Sequence, residues 1–209
     1  MLHTCPACGK YAPDLRFDLL NHQVCCPSCG YQTPIRRFPL FLVTGASCAG
    51  KSTLTRELFL HNSQVISMES DILWDEKWQE INDNFRSYRA MWLRVCQNIS
   101  HAGKPVLLCG CCDPSQFAGL SETNFFTGLH FLAVVCRDEI LEERMNRRGL
   151  SDPSARNDHK NFNRWFWKNH HNTTPPITLL DTSDLTPQQA AVQAAHWIDE
   201  ILKKEIPHE

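Results

Sequence analysis

A glycine-rich segment between two regular elements restricts the fold of this chain more than any other feature. Gly45 and Gly50 are separated by four residues, and a Lys-Ser pair follows directly. The apolar run PLFLVT (39–44) precedes the segment, and the helix candidate KSTLTRELFLH (51–61) overlaps its end. Glycines let backbone N–H groups converge on an anion, and the N-terminus of the following helix adds its positive end. A chance glycine-rich turn is the alternative, but the strand–loop–helix context predicts a phosphate-binding loop (P-loop).

The loop residues predict a nucleotide site with ATP and Mg²⁺ as cofactors. Lys51 is expected to reach the β- and γ-phosphates, and the Ser52 hydroxyl is expected to bind Mg²⁺. Cys48 occupies a variable position of the loop, where it is either a small filler or a thiol open to alkylation. The residues predicted to contact the nucleotide here are Gly45, Ala46, Ser47, Cys48, Ala49, Gly50, Lys51, Ser52 and Thr53.

Short apolar runs alternate with amphipathic stretches from Phe38 onward, which predicts an α/β fold. Unbroken apolar strands are typical of a parallel sheet that helices cover on both faces. The predicted strands are PLFLVT (39–44), QVISM (64–68), PVLLCG (105–110), HFLAVVC (130–136) and ITLLD (177–181). The predicted helices are 51–61, 85–101, 138–149, 161–171 and a last helix that Thr186 caps, with Pro187 in its first position and Gln189 in a capping box.

Two cysteine pairs near the N-terminus predict a separate metal-binding module. The pairs lie in the related turns CPACG and CPSCG, with 17 residues between them. This is the spacing of a four-cysteine zinc site, and the turns resemble those of a zinc ribbon. The predicted Zn²⁺ ligands are Cys5, Cys8, Cys26 and Cys29. Cys25 is an alternative fourth ligand, and disulfides or a rubredoxin-like iron site are alternative interpretations.

The chain divides into two predicted domains, a zinc ribbon over 1–37 and a P-loop domain over 38–209. With 42% hydrophobic residues the larger domain can bury a core, and the formal net charge of −2 gives no global basic field. Nucleic-acid binding is therefore not favoured. There is no signal-peptide pattern and no apolar run of membrane-spanning length, so no membrane partner is expected. Four or five of the eleven cysteines lie in the metal-type turns, and others lie in or beside segments that look buried (Cys48, Cys109, Cys111, Cys112 and Cys136). This usage fits a reducing compartment and predicts a cytoplasmic protein.

The positions of the acidic residues argue against a GTPase and against an ordinary P-loop ATPase. No Asn-Lys-x-Asp base-reading motif is present. The third strand, which should end in an acid for Mg²⁺, continues as CGCCDP, so that its first acid is Asp113. Glu69 and Asp71 instead follow the second strand.

From about residue 39 to 204 the chain resembles the small P-loop kinases of the nucleoside and nucleoside-monophosphate kinase type. The resemblance implies a three-layer fold with sheet order 2-3-1-4-5, a carboxylate after the second strand, and a helical lid around 142–160. Asp71 matches that carboxylate. The arginines of the lid are matched by Arg144, Arg147 and Arg148, and the loop beside adenine is matched by Thr182 and Ser183.

Phosphoryl transfer in such kinases depends on positioning and on charge neutralisation. Asp71 would orient and partly deprotonate an acceptor hydroxyl or hold Mg²⁺ through water, and its alternative role is a helix N-cap. For the lid arginines the alternative is a solvated helix end that the dipole favours. The resemblance therefore implies a catalytic set of Lys51, Asp71, Arg144 and Arg148, with Arg147 assigned to the nucleotide.

The acceptor site of these kinases lies in the segment that corresponds to 72–101. Aromatic side chains there either stack on a base or pack in the core, and arginines can hold an anionic group. The Asp-Gly-(Phe/Tyr)-Pro-Arg signature of adenylate kinases is absent after the third strand, which favours a hydroxyl acceptor. The predicted acceptor-binding residues are Asp71, Trp74, Arg86, Arg89 and Asp113.

The sequence leaves three functions open. We favour an ATP-dependent phosphotransferase that acts on a small hydroxyl-bearing acceptor, above all a nucleoside or nucleotide. In that case the ribbon has a structural or dimerising role, so that a homodimer is one expectation. The second is a polynucleotide or tRNA kinase whose ribbon holds RNA. The third is a P-loop ATPase module that docks a protein partner through the ribbon.

Overall fold

The computed structural model describes residues 3–12, 15–61 and 64–206. Within these ranges the strands are β1 (Arg16–Asp18), β2 (Gln23–Cys25), β3 (Gln32–Pro34), β4 (Phe38–Thr44), β5 (Ile66–Glu69), β6 (Val106–Cys109), β7 (Phe126–Val135) and β8 (Ile177–Asp181). The α-helices are α1 (Lys51–His61), α2 (Lys77–Glu80), α3 (Arg86–Ser100), α4 (Asp138–Arg147), α5 (Pro153–Asn169) and α6 (Pro187–Glu205). Short 3₁₀ helices lie at Ser70–Leu73, Pro114–Gln116, Ser121–Phe125 and His170–Asn172.

The five strands from β4 onward form one parallel sheet in the order β5-β6-β4-β7-β8. Counted from β4, this is the order 2-3-1-4-5, and the predicted α/β fold class is confirmed. The chain builds one side of the sheet through β5 and β6 and the other side through β7 and β8. β4 therefore marks the switch point, where ligands of such sheets bind at the carboxyl edge.

Alternate residues of β4 divide the hydrophobic core between the two faces of the sheet. Phe41 and Val43 belong to a cluster to which α1, α4 and α6 contribute. Leu40 and Leu42 belong to a second cluster, which contains residues of α3 and α5. Because every residue of β4 is buried, the loop that follows this strand starts from a rigid support.

Two elements begin earlier than the sequence pattern predicts. β7 starts at Phe126, since a register shift opposite Phe38 and Leu40 lets the strand continue toward its N-terminus. α5 starts at Pro153 after an Asp152 cap. The first turns of this helix are polar, so that the spacing of apolar residues does not reveal them. The segment expected to act as a lid, 142–160, consists of the end of α4, a turn and the first half of α5.

The N-terminal module is a three-stranded antiparallel sheet in the order β1-β2-β3. It contacts the larger domain through aromatic rings: Phe17 meets Phe125 edge to face, with ring centroids 4.7 Å apart. His3 lies against the same ring, at 6.0 Å. Arg37, in the joint between the two sheets, donates a hydrogen bond to the carbonyl oxygen of Phe126.

No helix within residues 3–12, 15–61 and 64–206 combines the length and the apolar character that a membrane-spanning helix needs.

The capping box at the start of α6 gives a direct test of helix stability. Thr186 Oγ1 accepts from the Gln189 N–H at 3.2 Å, and Gln189 Oε1 accepts from the Thr186 N–H at 2.9 Å. Thr186→Ala is expected to lower the free energy of unfolding by about 1 kcal/mol, because an N–H of the first turn loses its partner. Thr186→Ser keeps the hydroxyl and is the control. Urea unfolding curves measure both, and equal midpoints for the two variants would contradict the capping role.

Candidate functional site

The loop after β4 requires glycine at a point of close backbone contact. Gly45 has a φ of 140°, and a Cβ there would lie 2.3 Å from the carbonyl oxygen of Val134 in β7. Gly50, at the other end of the loop, has a φ of 115°. Cys48 between them adopts a φ of 66°, which is uncommon for a residue with a side chain. The loop is thus pressed against the neighbouring strand in a path that most residues cannot follow.

Lys51 opens α1 and binds the loop that precedes it. Its ammonium group donates to the carbonyl oxygens of Gly45 and Ala46, both at 2.9 Å. Ser52 and Thr53 follow on the first turn, and both are exposed. The cation and the two hydroxyl groups therefore lie together at the positive end of the helix.

A cavity of about 450 Å³ opens beside the loop, and its lining is of two kinds. Lys51, Ser52 and Arg148 supply polar and cationic groups. Leu185 and Pro187, at the start of α6, supply apolar surface. Its size lies in the usual range for small-molecule sites, and the mixed lining suits a ligand that has both phosphates and a flat apolar group.

Arg144 connects three elements through its guanidinium group. Nη1 donates to the carbonyl oxygen of Ala49 in the loop at 2.8 Å and to Thr182 Oγ1 at 3.0 Å, and Nη2 donates to the Thr182 carbonyl oxygen at 2.9 Å. Thr182 Oγ1 in turn donates to Ala49. Arg144, which the sequence predicts to be catalytic, therefore connects α4 with the loop and with the segment after β8. It also lines the cavity beside the loop, called the nucleotide cavity below.

The other residues predicted around the nucleotide differ in position. Arg148 lines the cavity at the end of α4. Arg147 lines it as well, but the side chain is 76% exposed and pairs with Glu143 at 2.6 Å, as expected for a solvated helix end. Ser183 has other partners, because its hydroxyl donates to Asp181 Oδ1 at 2.6 Å and accepts from the Arg137 N–H at 2.8 Å.

A second cavity of about 500 Å³ lies on the β5–β6 side of the loop. Aromatic rings form much of its wall. The ring centroid of Trp74 lies 5.7 Å from that of Phe85 and 5.5 Å from that of Tyr88. Phe162 of α5 also lines this second cavity. The segment predicted to hold an acceptor thus contributes aromatic rings to a cavity, although Tyr88 is also a buried core residue.

Asp71 faces this second cavity from the 3₁₀ helix that follows β5. It does not cap that helix, because Glu69 occupies the N-cap position. The Ser70 hydroxyl donates to Asp71 Oδ1 at 3.2 Å, and the Ser70 carbonyl oxygen accepts from Tyr88 Oη at 2.5 Å. Ser70 is also packed against Gly110, where a Cβ would lie 2.0 Å from its hydroxyl oxygen. Close packing and hydrogen bonds therefore hold the residue that precedes the carboxylate.

Arg89 is the predicted acceptor residue that lies deepest, with 4% of its surface exposed. Nε donates to Gln116 Oε1 at 2.9 Å, and Nη2 donates to the carbonyl oxygen of Cys111. Both partners are neutral, and among the described residues no carboxylate forms an ion pair with this guanidinium. Asp113 lines the same cavity and caps the next 3₁₀ helix through Ser115.

Arg86, by contrast, is directed away from the second cavity. Its Nη1 donates to the carbonyl oxygen of Ser115 at 3.4 Å, and Nη2 lies near Gly119. Both arginines belong to the first turn of α3. Of the two, Arg89 lines the second cavity and Arg86 does not.

One lining residue of each cavity bonds the carbonyl oxygen of Gly45. This oxygen accepts from Lys51 Nζ, of the first cavity, at 2.9 Å. It also accepts from the thiol of Cys111, of the second cavity, at 3.3 Å. The phosphate loop is therefore in contact with residues of both cavities.

The end of β6 carries a cysteine where many P-loop proteins carry an acid. Burial raises the pKa of the Cys109 thiol to about 11, so this position holds no negative charge at neutral pH. Glu69 and Asp71 are both close enough to Cys109 to act on its pKa in the same direction as burial. Glu69, the last residue of β5, and Asp71, two residues later, are thus carboxylates near the end of β6.

The four cysteines of the N-terminal module converge on one point. The Sγ atoms of Cys5, Cys8, Cys26 and Cys29 all lie within 4.8 Å of one another. Cys5 and Cys29 are 3.7 Å apart, and Cys8 and Cys26 are 3.9 Å apart. A tetrahedral site with Zn–S bonds of about 2.3 Å requires S···S separations of about 3.8 Å. The cluster therefore has the dimensions of a zinc site.

Both cysteine turns have the same backbone structure. The Gly9 N–H donates to the Cys5 carbonyl oxygen and the Gly30 N–H to the Cys26 carbonyl oxygen, each at 2.9 Å. Hydrogen bonds from the Ser28 and Cys29 backbone amides lower the pKa of the Cys26 thiol to about 6, which favours a thiolate. Cys25 lies outside the cluster, and its thiol donates to the Gly30 carbonyl oxygen.

Sequence reasoning missed several residues of the site. Cys111, in or beside a segment that looks buried in the sequence, is exposed and lines the second cavity. Gln116 and Phe162 come from segments far along the chain, and no local pattern marks them. The first half of α5 is missing from the predicted helix, which starts only at residue 161. A closer inspection of Asp152-Pro153, a cap followed by proline, would have revealed that helix.

The fold and the loop together define a P-loop protein. The chain belongs to the AAA domain family, whose model matches residues 42–163, more than half of the chain. No curated protein matches it.

Solved structures share the fold at low identity. A sugar kinase from Janibacter sp. HTCC2649 is 16% identical and has a TM-score of 0.60, over 83% of this chain and 100% of that chain. A tunicamycin resistance protein from Deinococcus radiodurans is 17% identical, with a TM-score of 0.55 over 78% and 96%. A gluconokinase from Sinorhizobium meliloti 1021 is 19% identical, with a TM-score of 0.52 over 83% and 100%. At these identities the likeness concerns the fold.

The two arginines of α4 that line the nucleotide cavity should respond differently to the same change. Arg144→Lys removes the planar fork that bonds Ala49 and Thr182, and we expect it to lower the free energy of unfolding by about 2 kcal/mol. Arg147→Lys, on an exposed side chain, should leave the unfolding midpoint unchanged. Chemical denaturation of both variants measures this. An Arg144→Lys midpoint equal to that of the wild type would show that these hydrogen bonds contribute nothing to stability.

Proposed function

We propose that the protein is an ATP-dependent phosphotransferase that acts on a small hydroxyl-bearing acceptor of the nucleoside or nucleotide class. The observation that carries this proposal is that Lys51, which lines the first cavity, and Cys111, which lines the second, both bond the Gly45 carbonyl oxygen. One cavity has the polarity of a nucleotide site, and the other combines a carboxylate with aromatic walls. In-line transfer requires donor and acceptor in this arrangement.

On the donor side, the loop and α1 supply the groups that phosphates need. Lys51 would exchange its bonds with Gly45 and Ala46 for bonds with phosphate oxygens. The Ser52 hydroxyl, with Asp71 or Glu69 through water, would hold Mg²⁺, which neutralises phosphate charge when bound. Leu185 and Pro187 would contact the base. The fit rests on the exposed hydroxyl group, the nearby carboxylates and the volume of about 450 Å³.

On the acceptor side, the lining favours a planar ring with a polar or anionic group. Trp74, Phe85 and Tyr88 offer ring faces and edges to such a ring. Arg89 bonds neutral oxygens and has no ion-pair partner within the described part of the chain, so that its guanidinium group could bind an anionic group of the acceptor. Asp71 would accept the proton of the attacking hydroxyl. Structures with this fold include a sugar kinase and a gluconokinase, which supports a small-molecule acceptor.

We further propose that the ribbon binds one structural Zn²⁺ through Cys5, Cys8, Cys26 and Cys29. Four thiolates at tetrahedral spacing form a closed site, and closed sites stabilise a fold without taking part in chemistry. A module of this size has little core of its own, so that the metal would contribute most of its stability.

The kinase proposal is tested by ADP release from Mg·ATP in the presence of nucleosides, nucleoside monophosphates, sugars, sugar acids and short RNA ends. Acceleration by one small acceptor is expected. Lys51→Ala should abolish it, and Asp71→Asn should reduce kcat at least about a hundredfold with little change in the KM for ATP. Asp75→Asn, in the same segment but outside the second cavity, is the matched control and should retain activity.

Two results would contradict the proposed acceptor class. Acceleration by RNA alone would make the protein a polynucleotide kinase. Slow turnover that no acceptor changes would instead favour an ATPase module that acts on a protein partner.

The metal proposal predicts a difference between two adjacent cysteines. The wild type should carry about one Zn²⁺ per chain, and Cys26→Ser should lose it because a ligand is removed. Cys25→Ser should retain the metal, since that thiol lies outside the cluster. Native mass spectrometry and elemental analysis measure the stoichiometry. Equal zinc content in both variants, or iron in place of zinc, would overturn the assignment.

A further inference from the structure

A third cavity lies at the amino edge of the parallel sheet, opposite the edge that carries the phosphate loop. Its volume is about 890 Å³, and the described residues that line it line neither the nucleotide cavity nor the second cavity. It exists because β7 starts at Phe126, whereas β8 pairs with β7 only from Phe131 onward. Pro175 and Pro176 precede β8, and proline has no N–H with which to extend a ladder. On its β8 side the first half of β7 therefore borders this amino-edge cavity.

Aromatic side chains from both faces of the sheet line the amino-edge cavity. Trp197 of α6, which lines it, packs edge to face on Phe41 with ring centroids 5.3 Å apart. On the other face Phe117 and Phe131, both lining residues, form a similar pair at 5.6 Å. Ile201 adds half-buried aliphatic surface. The packing that holds these side chains gives the cavity fixed apolar walls, which suit a planar apolar body, and its volume lies within the range of small-molecule sites.

The two carboxylates that line the amino-edge cavity each have a partner of their own. Glu205 Oε1 lies 2.6 Å from His130 Nε2, and Glu205 Oε2 accepts a hydrogen bond from the Thr127 hydroxyl. Glu200 pairs with Lys203 on the same helix at 3.1 Å. The negative groups of the cavity are therefore already engaged with neighbouring side chains.

The two cations that line the cavity, Arg37 and Lys204, lack such partners. Neither forms an ion pair with a carboxylate among the described residues. Arg37 Nη2 donates to the Phe126 carbonyl oxygen, which is neutral, and Arg37 Nε is buried with no hydrogen-bond partner in the described part of the chain. Lys204 is exposed near the end of α6. An anion in this cavity would therefore meet positive charges that no protein carboxylate holds in a pair.

We propose that the amino-edge cavity binds a small organic anion, a carboxylate that carries a planar apolar body. The carboxylate would pair with Arg37 and Lys204, and the apolar body would lie against Trp197 and Ile201. Arginine is suited to this task, because its guanidinium group can donate two parallel hydrogen bonds to a carboxylate. The site shares no described lining residue with the proposed catalytic cavities, so that its ligand should bind with or without Mg·ATP.

Fluorescence titration of the full chain with anilinonaphthalene sulfonate, a planar apolar anion, tests the site. Arg37→Gln should raise the Kd of this probe about tenfold and Lys204→Gln about threefold, because each removes a positive charge from the cavity. Arg36→Gln and Lys203→Gln are the matched controls, since each changes an adjacent exposed cation that does not line the cavity. Both should keep the Kd of the wild type. If circular dichroism shows that Arg37→Gln does not fold, the comparison of Lys204→Gln with Lys203→Gln decides.

Competition for the bound probe identifies the class of ligand. Naphthoate should displace it, whereas the neutral naphthamide, inorganic phosphate and Mg·ATP should not. Displacement by Mg·ATP would place the probe in the nucleotide cavity, and displacement by naphthamide or phosphate would show that apolar surface or charge alone is sufficient. Any of these results would overturn the proposal, as would a wild type that does not bind the probe or an equal Kd in the wild type and both cavity variants.

Discussion

The contact between Gly45 and Val134 is the constraint on which the site depends. A Cβ at Gly45 would lie 2.3 Å from the Val134 carbonyl oxygen, so the phosphate loop can meet β7 only through bare backbone. The same loop is held from further directions, because Arg144 and Thr182 both bond Ala49. A loop fixed between β4, β7 and the segment after β8 presents its N–H groups without reorganisation when an anion binds.

The cations of the site are distinguished by the partners that hold them. Lys51, Arg89 and Arg144 bond carbonyl, amide or hydroxyl oxygens, all of them neutral. On the surface, Arg137 and Arg147 are paired with carboxylates instead. Neutral partners orient a cation but leave its charge uncompensated. The phosphates of a bound nucleotide would supply counter-charges for the two of these cations that line the cavity beside the loop, Lys51 and Arg144.

The sequence predicts the strands of the sheet and the loop because these depend on local patterns and on a strong motif, while the order of the strands is implied by the resemblance to small P-loop kinases. It also predicts the capping box of α6 and the convergence of four cysteines, for which spacing alone is sufficient. It fails at the start of α5, where Asp152 and Pro153 carry the only signal. It also does not reveal that Arg144 bonds the loop and the segment after β8, or that Arg86 lies outside the second cavity. Such roles depend on which backbone carbonyls the fold brings near, and no local pattern contains that information.

The ribbon and the second cavity are connected through one short segment. Phe17 of the ribbon packs on Phe125, which ends the 3₁₀ helix that runs directly into β7. Glu122 in that helix pairs with Arg94 of α3 at 2.8 Å, and α3 carries Tyr88 and Arg89 to the second cavity. Loss of the proposed Zn²⁺ would therefore be expected to weaken the support behind α3. The proposed metal site would in this way influence the second cavity without lining it.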